Sequence, residues 1–399
     1  MTSDQTHSVV ERDPIENPDI IIGIPSLNEG DTIANVAEVM SEGVHSVYPD
    51  RSANIINVDN ASTDDTKEQF LSADTGEHGK KYISTAPGKK GKGRNFYNLF
   101  HEVVKTEPDA VAVLDADLTS METSWAEKML GKVLEGYDLV TPIYKRHQYD
   151  GTITNHVCYP TTYGVNGMNI RQPIGGDFAF SVEAAENWLE QEWDETTFQF
   201  GIDIFMSTTT IYGGLDVCST HLGVKAHAPS GPNLQSMFQE VAGTLYSLLE
   251  KNRSYWEDVD TVQEVDTFGS NEGYDAPDLA VDLEEIKNDM TELFNEHRAR
   301  IQQFLPKDLF DEVAGMVDSG TMDLTAHQWS NVYYSAVSSY VDEPDPSIVK
   351  GMLPLYMFRN ASFQVQTDGF SHAECEEKIQ EQAEVFFENR DLLLEKVRE

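Results

Sequence analysis

The chain has 399 residues, of which 69 are Asp or Glu and 28 are Lys or Arg, for a formal net charge of −41. Such a surface repels nucleic acid and anionic membranes, while a hydrophobic fraction of 39% supports packed cores rather than disorder. No apolar run approaches the ~18 residues of a membrane span, and Met1 to Asp19 lacks the basic start and apolar core of a secretory signal.

The length allows two or three domains. Cys158, Cys218 and Cys375 are too dispersed for a disulfide framework and fit a reducing compartment. The expectation is a soluble cytoplasmic protein with no nucleic-acid partner and no integral membrane segment. Self-repulsion at this charge is screened in molar salt, where the Debye length is about 3 Å, which suggests a halophilic protein. An acidic protein of an ordinary cell is the alternative.

Residues 1–18 read as a loose acidic lead-in. Ile20–Pro25 is a first strand stopped by proline, Ser26–Gly30 a turn, and Asp31 a cap for a helix to about Val44. Asn54–Asp59 is a second strand, followed by the polar turn Asn60–Thr66 and another helix; Lys81–Ser84 is a short third strand. In Pro87–Arg94, Lys89, Lys90, Lys92 and Arg94 crowd among three glycines. The stretch reads as a phosphate cradle at the start of a helix over Arg94–Lys105, or as a solvated basic loop; it lacks the Walker spacing. Lys92 and Arg94 are the residues expected to meet a bound phosphate.

Ala110–Leu114 is a buried strand ending in Asp115-Ala116-Asp117. The ligand crevice of an open α/β sheet begins at such strand ends. Two carboxylates one residue apart suit a hard divalent ion, Mg²⁺ or Mn²⁺, bound together with substrate phosphates; a solvated acidic strand end is the bland reading. Leu139–Tyr144 is a further strand, Gly151–Asn155 a turn rich in hydroxyls and amides, and Arg171–Phe178 a polar segment with a Gly175–Gly176 kink. Phe200–Phe205 opens an apolar helix carrying Asp203, whose carboxylate needs a partner there or is a helix N-terminal acid. Val217–Val224 is a strand, with Lys225 and His227 beyond it.

The strand–helix alternation argues for an α/β fold with a mostly parallel, doubly wound sheet. From Asn233 the pattern is helical. Leu279, Leu283, Ile286, Met290 and Leu293, then, past a turn, Ile301 and Phe304 mark an amphipathic face, Met352–Phe358 a kinked core segment, and a long helix starts near Ser371. The expected organisation is a lead-in at 1–18, a nucleotide-sugar domain at 19–250 and a helical domain at 251–399.

Pro25-Ser26-Leu27-Asn28-Glu29, Asp59–Thr66, Gly91-Lys92-Gly93, Asp115-Ala116-Asp117-Leu118, Gln172–Asp177 and Leu222–His227 occur in this order. The series resembles the GT-A-fold retaining glycosyltransferases that include the glucosyl-3-phosphoglycerate, glucosylglycerate and mannosylglycerate synthases. The resemblance implies that Pro25, Leu27, Glu29 and Asn60 contact the nucleoside, that Lys92, Asp115 and Ala116 meet the nucleotide, and that Gly175, Gly176 and Asp177 hold the donor sugar. It implies Asp117 and His227 as metal ligands, with Asp115 near ribose or metal, and Asp203 with Asp177 at the reacting centre. Gly151, Thr152, Thr154 and Asn155 would face the acceptor. Phosphoglycerate users carry Gly-Arg-Val-Thr where this chain has Gly151-Thr152-Ile153-Thr154; threonine cannot replace a bidentate guanidinium.

The resulting expectation is a metal-dependent hexosyltransferase, glucose favoured over mannose, acting on a small glycerate-type acceptor for compatible-solute synthesis. Its partners would be small molecules, with a homodimer allowed. Alternatives are a transferase acting on a lipid-phosphate or polysaccharide acceptor and a non-catalytic nucleotide-sugar binder.

Overall fold

The structure, a computed structural model, describes residues 6–86, 88–226 and 234–398. Its strands are β1 (Thr6–Arg12), β2 (Ile20–Ser26), β3 (Ala53–Asp59), β4 (Gly79–Thr85), β5 (Ala110–Val113), β6 (Leu139–Lys145), β7 (Met168–Asn169), β8 (Phe178–Phe180), β9 (Val217–Val224), β10 (Gln263–Glu264) and β11 (Asp266–Phe268). Contacts divide the chain into two units: residues 1–145, 172–232 and 265–276 in one, and 146–171, 233–264 and 277–399 in the other. This division does not follow one cut near residue 250. The segment 146–171 groups with the later helices, whereas β11 extends the main sheet.

The first unit holds a nine-stranded sheet in the order β1-β4-β3-β2-β5-β8-β6-β9-β11. The strands run parallel except β1, antiparallel to β4, and β8, antiparallel to β5 and β6. The chain builds outward from β2 to β3 on one side and β5 on the other, with Ile20 opposite both Ala53 and Ala110. Such a reversal of strand order opens a crevice at the strands' carboxyl ends. β2, β3 and β5 are buried along their whole length, as Ile/Val/Ala-rich strands of a parallel sheet covered on both faces are. Ile22, Ile24, Ile55, Ala112 and Leu114 pack there with Met40 and Trp125 from the flanking helices.

Several expected boundaries move. Residues 6–12, expected as lead-in, form edge strand β1; its Val9 and Val10 pair with Ile83 and Tyr82, and Glu11 and Arg12 supply the charge that guards an edge. The helix expected from Arg94 begins at Lys92. β5 stops at Val113, so Asp115 and Asp117 sit in the turn beyond the strand.

The second unit is helical apart from the β7–β10 pair. Gly151–Asn155 is not a turn: Thr152 and Ile153 are helical and Thr154–Cys158 is a π-helical turn leading into helix Tyr159–Gly164. Thr154 and Asn155 are buried there, and a buried backbone needs the partners a helix provides. The Leu283–Phe304 helix is continuous, burying Met290, Phe294, Ile301 and Phe304; Leu279 lies outside it and is exposed. Pro354 lies within one helix, Pro346–Gln366. The C-terminal stretch is two helices, His372–Glu388, opened by a Ser371/Glu374 capping box, and Arg390–Arg398.

The charge of −41 sets an expectation for stability. Repulsion between surface carboxylates falls as the Debye length shrinks, so the melting temperature should rise from low to molar KCl. A flat or falling curve would remove the halophilic reading.

Candidate functional site

The turns after β2 and β3 are stitched together. Asn28 N–H donates to Ser62 Oγ at 2.8 Å, Glu29 N–H to Thr66 Oγ1 at 2.8 Å, and Thr63 N–H to Asn28 Oδ1 at 2.8 Å. Asp59, fully buried, accepts from Ser26 Oγ, Ser62 N–H and Tyr82 OH at 2.8–2.9 Å. Asn28 and Ala61 have φ of 58° and 57°; for alanine that conformation is uncommon and persists because its surroundings fix it. Pro25 is buried beneath the turn, while Leu27 is 38% exposed, an apolar surface at a strand end. The Asn60 Oδ1 atom accepts the Gly91 N–H at 3.0 Å, tying the polar turn to the basic segment.

That segment differs from a phosphate cradle. Gly93 N–H donates to Gln199 O at 3.0 Å and Arg94 N–H to Phe198 O at 3.2 Å, so the helix N-terminus is capped by the chain itself. A Cβ at Gly91 would stand 2.1 Å from Phe198 O, and one at Gly93 2.0 Å from Thr197 O; the close approach the glycines permit is to protein backbone. Arg94 is held by both oxygens of Glu195 at 2.7 and 2.9 Å and lies over the Phe198 ring. Lys92 alone of this segment's basic residues reaches the carboxylates at the sheet ends.

The structure brings together Lys92, Asp115, Asp177, Asp203 and Lys225. Lys92 Nζ lies 2.9 Å from Asp115 Oδ1 and 3.4 Å from Asp203 Oδ1. Lys225 Nζ lies 2.8 Å from Asp115 Oδ2 and 2.7 Å from Asp177 Oδ2. Asp177 also accepts from Tyr144 OH at 2.6 Å and from Asp115 N–H at 2.8 Å. Burial alone pushes the Asp115 carboxyl up, but the ammonium groups of Lys225 and Lys92 reverse this and hold it well below the carboxylate range. Burial raises Asp203, with Asp115 adding to the rise and Lys92 opposing it. Lys92 is raised because Asp115 and Asp203 outweigh its own desolvation.

Glu29 is pushed up to about 7, first by burial, then by Asp117, Asp115 and Asp64. Asp117 is therefore close enough to add to a local excess of negative charge. Ala116 is buried between the two aspartates. His227 lies outside the described residues, and among those described no group of three or more His, Cys, Asp or Glu residues could hold a metal ion.

The expected acceptor residues fall in the second unit and pair within it. Thr152 Oγ1 hydrogen-bonds the Tyr356 hydroxyl. Asn155 donates to Asp150 O at 3.0 Å and accepts from Arg171 at 2.9 Å. Gly151, with φ of 62°, donates its N–H to Asp150 Oδ1 at 2.7 Å. Sequence reasoning missed Tyr144, for which no local signal exists, and named Lys225 only as a neighbour of His227; its partner Asp115 is 110 residues away.

Residues 21–187 match glycosyl transferase family 2. This stretch holds Glu29, Asn60, Lys92, Asp115, Asp117 and Asp177. Among curated relatives, mannosylglycerate synthase of Rhodothermus marinus is 27% identical over 169 residues, 41% of this chain and 42% of that protein. Glycosyltransferase AglJ of Haloferax volcanii is 30% identical over 208 residues, 50% of this chain and 60% of that protein. The chain thus spans about half the length of these relatives. Among solved structures, glucosyl-3-phosphoglycerate synthase from Mycobacterium tuberculosis, in complex with Mn²⁺, UDP and glucosyl-3-phosphoglycerate, is 25% identical. It superposes with a TM-score of 0.46 over 58% of this chain and 80% of that one, a loose likeness that transfers no residue roles. Among the described residues no helix is long and apolar enough to cross a membrane.

Proposed function

We propose that this protein transfers a hexose, glucose favoured over mannose, from a nucleotide diphosphate sugar to a small glycerate-type acceptor, with retention of anomeric configuration and in the service of compatible-solute synthesis. The observation that carries the reading is the set of carboxylates and lysines gathered at the sheet's switch point, with Lys92, Asp115 and Asp177 from the stretch that matches family 2 and Asp203 and Lys225 from beyond it. Leu27 offers an apolar face and Asn60 a polar edge for a nucleoside. Lys92, half-buried and held between Asp115 and Asp203, supplies a fixed positive charge that favours a donor diphosphate.

The proposed metal ligands are Asp117 and His227, with Asp115 nearby, oxygen and imidazole donors of the kind that Mg²⁺ or Mn²⁺ accepts. Both oxygens of Asp115 are held by ammonium groups; Asp117 and His227 are the proposed ligands for an ion that would arrive with donor phosphates. Such an ion, when bound, neutralises charge on the departing nucleotide. Asp203, buried at the start of helix Ile202–Tyr212 and beside Lys92, is the proposed carboxylate at the reacting sugar. Asp177 is fully buried and hydrogen-bonded on both oxygens, so its proposed part is to orient Asp115 rather than to touch substrate.

D-glycerate is favoured over 3-phosphoglycerate. Thr152 stands where phosphoglycerate users have arginine, and Arg171, the cation beside Asn155, is held through Nε and Nη2 by both oxygens of Glu376. A site built for a phosphate rejects analogues lacking it, and the reverse holds for one without a clamp. In an NMR time course the first product should be the α-glycoside from an α-linked donor, with kcat/KM about tenfold or more higher for D-glycerate. Initial β-product would refute retention, and a strong preference for 3-phosphoglycerate would refute the acceptor assignment.

A further inference from the structure

The π-helical turn Thr154–Cys158 has a conformation that is rare and frequent at functional sites. It packs against helix Pro346–Gln366, whose Arg359 is 3% exposed. Arg359 Nε donates to Gln382 Oε1 at 2.6 Å, and Nη1 to Leu324 O at 2.7 Å and Gln366 Oε1 at 2.9 Å. These neutral acceptors take three of the guanidinium's five N–H groups, leaving the Nη2 edge. Asp323 is reached only through Gln366, which donates to it at 2.9 Å. Burial pushes the Arg359 guanidinium down to about 9, with Asp323 opposing, so the group is a cation at neutral pH. Gln382 links it to the turn: its Nε2 donates to Asn155 O at 2.8 Å and meets His156 Nδ1 at 3.3 Å. An amide nitrogen only donates, so Nδ1 accepts and the neutral ring carries its proton on Nε2. Burial first, then the charges of Arg359 and Arg171, hold His156 well below its usual range. Arg171 reaches the same turn, donating to Asn155 Oδ1 at 2.9 Å. Glu376 takes its Nε and Nη2, while its Nη1 is buried with no hydrogen-bond partner among the described residues.

We infer that the second unit binds a small anion of halide size, chloride in particular, against the guanidinium groups of Arg359 and Arg171 and the N–H of His156. Buried charges are kept where they are paired. This chain has 69 acidic residues, yet among the described residues it bonds only one carboxylate, Glu376, directly to these two arginines. The donors around the turn outnumber the acceptors, and an anion restores the balance. Its size follows from closure: His156 and Gln382 are each 1% exposed, so the occupant is small and gives up its water. Chloride only accepts, and it is less strongly hydrated than a carboxylate or a phosphate, whose desolvation is costly. The inference lies within the second unit and does not rest on the proposed reaction.

Thermal melts at equal potassium concentration and ionic strength, in chloride or in methanesulfonate, separate a bound anion from screening, which is the same in both salts. The wild type should melt about 5 °C higher in chloride, the shift expected when the anion stands at roughly 100 times its Kd. Arg359→Met, apolar and unbranched, should abolish that difference. Lys307→Met, which removes a cation whose side chain is 81% exposed, should keep it. Equal melting of the wild type in both salts would overturn the inference, as would a difference that survives Arg359→Met. If Arg359→Met does not fold, the wild-type chain crystallised in bromide decides. An anomalous scattering peak within hydrogen-bond reach of the Arg359 guanidinium is expected, and no peak there overturns the inference.

Discussion

Asp117→Asn should lower turnover by about 10³-fold or more, the scale of losing a charged group on which transition-state stabilisation depends, while shifting the melting temperature little. Asparagine keeps the shape of aspartate and removes its charge. Asp117 lies in the turn beyond β5, and its negative charge is felt by Glu29, whose carboxyl is pushed up to about 7 by burial and then by Asp117. Asp115→Asn makes the contrast. Asp115 bridges Lys92 and Lys225, and breaking a buried ion pair from one side costs about 3–5 kcal/mol. Asp115→Asn should therefore lose stability and activity together, and Asp117→Asn activity alone. Equal loss of melting temperature in both variants would mean that Asp117 is structural.

Gly93→Ala should destabilise the fold by about 3 kcal/mol or more, because overpacking here meets backbone. The new methyl group would stand 2.0 Å from Thr197 O and 2.8 Å from Phe198 Cα, where no flexible side-chain end can give way. Relief requires moving the Lys92–Thr106 helix or the 196–199 segment, and either displaces Lys92 from Asp115 and Asp203. Gly315→Ala is the control. Gly315 lies inside helix Lys307–Ser319, and a Cβ added there would meet nothing within 4 Å, so alanine should be neutral or stabilising by about 0.5–1 kcal/mol. Thermal melts of both variants decide; a Gly93→Ala protein as stable as wild type would mean that the 196–199 segment is not packed on this helix.

The sheet was legible because Ile20–Pro25 and Ala110–Leu114 are apolar runs closed by polar turns, and Asn54–Asp59 carries Ile55, Ile56 and Val58 before its own polar turn. Edge strand β1 was not, since Thr6–Arg12 is half polar and its ladder is decided by its neighbour β4 rather than by its own composition. Lys92, Asp115 and Asp203 were legible as candidates because each breaks a local rule: a basic island in an acidic chain, a charge at a strand end, a carboxylate in an apolar helix; Glu29 and Asn60 came only from the family resemblance. Their pairing was not. Nothing local says that Asp115 is held between Lys92 and Lys225, or that Gly91 and Gly93 make room for Thr197 and Phe198. The Gly151–Asn155 segment misled because its glycine, hydroxyls and amide are turn-formers, yet burial of Thr154 and Asn155 favoured helix.

The proposed transfer needs both a nucleotide diphosphate sugar and a divalent ion. Mass spectrometry of products from panels of nucleotide sugars and glycerate-type acceptors, each run with Mn²⁺ and with excess chelator, tests this directly. The predicted result is a hexosyl-glycerate product with one donor, released with the nucleoside diphosphate and absent in chelator. Undiminished product in chelator would contradict the metal's part, and no product from any donor and acceptor pair, with Mn²⁺ present, would contradict the transferase itself.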